Sequence, residues 1–204
     1  MCSSDLKPAT IVRLTLIIKD EKMKYTNIAI AVLALSAAAA SAGEATAELR
    51  WADHANQYKA EFSEKVSSPL GTLVVAGEVE TKQGYGDGKL DSLFAGAVGY
   101  PISVPYGFTV HPFLQVGVKM NSYAPHSDFI SEGVKVSRNI IGPVSGEVQF
   151  RHRASYDCAD LNENRASASV KYAINKKHAV GFATYTYWGD KNDHRYGVFY
   201  KYTL

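Results

Sequence analysis

The chain has 204 residues, with 22 Lys and Arg against 20 Asp and Glu, and 46% hydrophobic residues. Five of those basic and three of those acidic residues fall within residues 1–42, so the remainder is formally neutral and gives no basis for a nucleic-acid partner. Of the two cysteines, Cys2 and Cys158, only the second follows residue 42, which excludes a disulfide within the remainder.

The first segment reads as two pieces. Met1-Cys2-Ser3-Ser4-Asp5-Leu6 back-translates to a string resembling a sequencing-adapter end, so residues 1–22 are expected to be an artefactual extension. Met23-Lys24 then opens a basic start, residues 28–35 are apolar, and Ala40-Ser41-Ala42 supplies small residues ahead of Gly43. These are the parts of a secretory signal peptide, with cleavage expected after Ala42. The apolar run is shorter than the ~20 residues a membrane-spanning helix needs. Residues 43–204 form the exported domain on this reading.

From there the chain reads as strands separated by turns. Ten candidates follow in order: about 46–52, 57–66, 71–82, 91–104, 108–120, 128–139, 145–156, 164–174, 178–188 and 194–204. Their connections alternate in character. Those at 67–70, 105–107 and 175–177 are short; those at 84–89, 122–126 and 157–163 are longer and more polar. Several strands have one clean face. Phe108, Val110, Pro112, Leu114, Val116, Val118 and Met120 alternate with Thr109, His111, Gln115 and Lys119. Val148 and Phe150 alternate with Glu147, Gln149, Arg151 and Arg153, and Ala168, Val170, Tyr172 and Ile174 with Arg165, Ser167, Ser169 and Lys171. The last strand alternates Tyr196, Val198, Tyr200, Tyr202 and Leu204 with Gly197, Lys201 and Thr203, and only Phe199 breaks its polar set.

A soluble β-sandwich and a membrane barrel share this pattern and differ in which face is wet. The signal peptide, the Tyr-rich terminal strand and the asymmetry of the connections favour the barrel. The expected fold is therefore all-β: an antiparallel up-and-down transmembrane β-barrel of about ten strands, with eight to twelve as the range. Pro112 inside a strand, and the Gly- and Ala-rich stretch 91–104 with Pro101, are its weak points. Its partners would be outer-membrane lipid and, through the C-terminal strand, the barrel-insertion machinery.

No catalytic motif, metal-ligand spacing or phosphate loop is present, so neither an enzyme nor a cofactor or metal is expected. Asp190, Asp193 and His194 are close in sequence, but polar loop tips carry such residues routinely. The more suggestive feature is an inward basic group. Arg151 and Arg153 share a face with Arg165 and Lys171 of the next strand, and Arg50, Lys59, Lys119 and Lys201 point inward from others. Guanidinium groups suit carboxylate recognition, and a ladder of them would carry small anionic solutes between weak sites. Glu61, Glu78, Glu80 and Glu147 also point inward, so the same charges could instead pair into a plug.

Glu48-Leu49-Arg50-Trp51, the run Arg151-His152-Arg153-Ala154-Ser155-Tyr156 and the ending Tyr196-Gly197-Val198-Phe199-Tyr200-Lys201-Tyr202 resemble those of the oligogalacturonate-specific porin family of small monomeric channels. The resemblance implies passive diffusion of acidic oligosaccharides. It also implies twelve strands, where the residues themselves yield ten. The alternatives are a filled barrel acting in surface binding or envelope structure and, less favoured, a soluble periplasmic β-protein.

Overall fold

A computed structural model describes residues 43–52, 55–69, 71–84, 90–121, 124–155, 162–189 and 192–204. The leader and its cleavage site, and Cys158, lie outside the described residues. The elements are β1 (Glu44–Ala52), β2 (Ala55–Ser68), β3 (Gly71–Gly84), β4 (Leu90–Gly99), β5 (Ile102–Val104), a 3-10 turn (Pro105–Gly107), β6 (Phe108–Asn121), β7 (Ala124–Ile141), β8 (Val144–Ser155), β9 (Glu163–Ala173), β10 (His178–Gly189) and β11 (Asp193–Thr203). Each strand pairs antiparallel with the next, except that β4 and β5 both pair with β6, and β11 pairs with β1.

β4 and β5 are one strand interrupted at Tyr100-Pro101. Both pair with β6 in a single register, Gly99 opposite Phe113 and Ile102 opposite Val110. The sheet is therefore a closed ring of ten strands. That corrects the twelve implied by the family resemblance. The interruption has a chemical cause. Pro101 has no N–H, and Pro112, opposite Tyr100, accepts the Tyr100 N–H at 3.0 Å but cannot return a bond. The two prolines fall at the same place in the ladder, so the barrel concentrates its missing donors at one break.

Register sets the stagger. A row of directly opposed residues runs Glu44, Ser63, Ala76, Ala97, Gln115, Ser131, Arg153, Glu163, Gly189. It starts at the end of β1 beside the short turns and finishes at the opposite end of β10. Such a diagonal is what closing a sheet into a barrel requires, with strands tilted by about 35–45°. One rim carries the connections after β2, β5, β7 and β9. The β7–β8 turn there is only Gly142-Pro143, with Gly142 at φ 52°, a left-handed value that glycine adopts without strain. The other rim carries the connections after β1, β3, β6, β8 and β10.

The period-two pattern then sorts side chains. Apolar positions face out and are exposed: Val116 by 60%, Val148 by 54%, with Leu114, Phe150, Val170, Phe182 and Val198 likewise open. Trp51, Trp188 and Tyr196 stand near the loop rim, and Tyr172 and Tyr200 near the turn rim. An apolar belt edged by aromatics is the surface a barrel presents to lipid. A soluble sandwich would have buried this face, so the arrangement rejects that alternative.

Inside, large and small residues interlock across strands. The Phe113 ring lies over Gly133, Phe129 over Gly117 and Phe199 over Gly181, each pair being direct cross-strand partners. A methyl group at Gly117 or Gly133 would meet the opposing ring at 2.5 Å. This is why Phe199 breaks the polar set of the last strand: its ring fills the space Gly181 leaves.

Candidate functional site: a charged layer across the barrel interior

The inward residues nearer the loop rim form a layer of charged and aromatic groups. Arg50 is 1% exposed, Arg151 2%, Arg165 3% and Arg153 5%, and Gln57, Glu48, Glu78, Gln115 and Ser131 are buried with them. Alternation delivers these side chains inward, and register brings them together from strands far apart in sequence. Burying a charge is costly unless it is paired and hydrogen-bonded, so the pairing decides what the layer can do.

On the wall built by β1, β2, β3, β10 and β11 the pairing is dense. Arg50 bonds Glu48 at 2.7 Å and Glu80 at 3.0 Å, with its guanidinium 4.2 Å from the Tyr185 ring centre. Tyr185 donates its hydroxyl to Glu48, and the Gln57 side-chain amide donates to Glu80. Arg195 bonds Asp193 at 2.7 Å, donates to Gln57 at 2.8 Å and lies 4.2 Å from the Tyr187 ring centre. Lys59 sits between Glu61 at 2.7 Å and Glu78 at 3.0 Å.

The wall built by β8 and β9 is different. Arg151 and Arg165 are direct cross-strand partners, and Arg153 faces Glu163. Glu163 is the anion of this group, taking Arg151 at 2.6 Å and Arg153 at 3.1 Å on the same oxygen, Oε1. Arg153 lies 4.4 Å from the Phe129 ring centre and Arg165 5.6 Å from that of Tyr185. Among the described residues, six guanidinium nitrogens of this wall have no hydrogen-bond partner, Nε and Nη1 of Arg151, Nε and Nη2 of Arg153, and Nε and Nη1 of Arg165, against Arg50 Nε alone on the other wall.

The eight basic positions expected from the sequence thus divide. Arg50, Lys59, Arg151, Arg153 and Arg165 converge in the layer. Lys119 lies toward the loop rim, 3.6 Å from Asp91. Lys171 and Lys201 lie at the turn rim, Lys201 bonded to Glu44 at 2.6 Å. Sequence reading missed Glu163, which it left in a loop, and Gln57, Tyr185, Tyr187, Arg195 and Lys135, the last lying 3.7 Å from Glu61. Alternation with Gly197 and Lys201 would have placed Arg195 inward. Of the weak catalytic grouping, Asp193 holds Arg195 inside, while His194 is exposed and lies 3.3 Å from Thr186; Asp190 is outside the described residues. Among the described residues no group of His, Cys, Asp and Glu is arranged to hold a metal ion.

A closed ring with an exposed apolar belt and a polar interior defines the class: a membrane-spanning β-barrel of outer-membrane type. No protein-family model matches the chain, and no curated protein matches its sequence. Solved structures do match its fold. The KdgM porin aligns with a TM-score of 0.50 at 11% identity, over 79% of this chain and 99% of that one. The NanC porin aligns with a TM-score of 0.50 at 15% identity, over 79% and 99%. At these identities the likeness is one of fold.

Proposed function

We propose that the protein is a narrow outer-membrane channel of porin type for small anionic solutes, with Arg151, Arg153 and Arg165 as its constriction. The supporting observation is the concentration of six unpartnered guanidinium nitrogens on the β8–β9 wall, against one, Arg50 Nε, on the opposite wall, among the described residues. A dry, filled interior pairs its buried donors. Two arginines sharing one carboxylate oxygen, with Arg165 beside them outside any ion pair among the described residues, are instead suited to an anion that comes and goes, and low-dielectric walls focus their field along the axis. Lys119 at one mouth and Lys171 and Lys201 at the other extend the positive groups to both rims. Acidic oligosaccharides fit this chemistry. Delivery would use the leader ending at Ala42, and the terminal strand would be read by the insertion machinery.

Recording in planar bilayers tests the reading. The expected result is anion preference that weakens at high salt, and that falls or reverses in Arg151→Gln/Arg153→Gln while the barrel still inserts. Inserted protein that conducts nothing overturns it in favour of a second reading, a filled barrel acting through its outer surface or loops. One observation favours that alternative: the guanidinium layer is almost wholly inaccessible to water-sized contact.

A further inference from the structure

The Arg151–Arg153 pair already holds a carboxylate. Glu163 places a single oxygen against both guanidinium groups, an ion pair of the same chemistry as one made by a carboxylate from solution. The two acids around Arg50 are fixed differently. Glu48 is held by Arg50 and Tyr185, and Glu80 by Arg50 and Gln57, so each of these two has partners of two chemical kinds. In the contacts described for it, Glu163 is bonded through its arginines alone. It is the first residue of β9, at the loop rim, and its side chain is 27% exposed while the guanidinium groups beneath it are buried. A group so placed can leave the arginines without crossing the packed layer.

We propose that Glu163 is a tethered competing anion: its carboxylate occupies the Arg151–Arg153 position that a solute carboxylate takes, and so sets how tightly the interior retains an acidic solute. The proposal rests on the anion-channel reading for its functional meaning. In consequence an entering carboxylate displaces an internal one, and the number of charges on the arginines stays constant through the exchange. Retention is kept weak, as passage through a narrow site requires. Without Glu163 the same arginines would hold an acidic solute longer.

Chemical rescue of the full chain, refolded in detergent, tests this. Glu163→Ala removes the tethered carboxylate, and acetate is the probe, compared with chloride at equal ionic strength. Thermal unfolding is followed by heat-modifiable gel mobility. The variant is expected to unfold at lower temperature in chloride and to recover most of the difference in acetate, with a half-saturating acetate concentration at least about tenfold below any seen for the unmodified protein. If the variant does not refold in chloride, its refolding yield in the two salts is the readout. Equal stability or equal yield in acetate and chloride overturns the proposal. A barrel that conducts nothing yet shows acetate rescue overturns the channel reading and leaves the exchangeable carboxylate standing. A conducting barrel without rescue overturns only the tethered anion.

Discussion

The two walls of the interior use the same residue types to opposite ends. Between β1, β2, β3, β10 and β11, Arg50 and Arg195 meet Glu48, Glu80 and Asp193, with Gln57, Tyr185 and Tyr187 filling in. Between β8 and β9, Arg151 and Arg153 share Glu163, while Arg165 stands beside them with no ion pair among the described residues. The first arrangement cross-links five strands. The second concentrates like charge at one place. Arginine content alone therefore does not mark a functional surface in a barrel; the ratio of donors to fixed acceptors does, because an unpaired buried donor must find a partner elsewhere.

The largest effect should come from breaking the paired wall. Arg50→Ala leaves Glu48 and Glu80 as buried carboxylates without their cation. Removing one member of a buried pair costs about 3–5 kcal/mol. Unfolding of the detergent-refolded barrel, followed by heat-modifiable mobility, measures it. A loss under about 1 kcal/mol would mean that Arg50 is solvated rather than structural.

Outside the barrel the two walls should behave alike, since both present aliphatic residues to lipid. Val198→Arg behind the paired wall and Val148→Arg behind the other are each expected to cost about 2–4 kcal/mol near the membrane midplane. Their fraction inserted into vesicles, compared with Lys201→Ala at the rim, checks this. A large disparity between the two valines would show that one outer face is covered by something other than lipid.

The Phe–Gly joints provide a smaller and also symmetric control. Gly181→Ala beneath Phe199 and Gly133→Ala beneath Phe113 overpack the interior, at about 1–3 kcal/mol each. Equal costs would show that the rings are seated alike near both walls, and the same unfolding assay reads the result.

These comparisons also show where sequence reading succeeds and stops. All ten strands were legible, most of them because period two over ten or more residues is hard to mistake; 46–52 is short and 91–104 alternates poorly, and there the flanking turns, which carry Gly, Pro and Asn, marked the strands. The inward and outward faces followed from the same alternation, so the eight basic positions were placed without a structure. Pairing was not legible. Whether Arg151 meets Glu147, two rungs away in its own sequence pattern, or Glu163 depends on register across β8 and β9, and a register is a relation between strands. Phe199 made no sense on its own strand for the same reason; its explanation, Gly181, is on the neighbour. Pro112 and Pro101 looked like independent faults and prove to be one shared break.

The smallest structural effect should come from the unpaired wall, and it is the most discriminating. Arg165 faces Arg151 directly across β8 and β9, and it makes no ion pair among the described residues. Arg165→Gln removes one of three like charges and keeps a polar side chain that can reach the same surroundings. Relief of repulsion offsets the lost cation–π contact with Tyr185, which is long at 5.6 Å. The net change in stability is expected to lie within about 1 kcal/mol, several-fold less than for Arg50→Ala. Selectivity should respond instead, with anion preference in planar bilayers falling below that of the unmodified barrel. A variant that loses stability as Arg50→Ala does would erase the distinction between the walls, because Arg165 would then be as structural as Arg50. A variant with unchanged stability and unchanged selectivity would leave the walls distinct and remove Arg165 from the constriction.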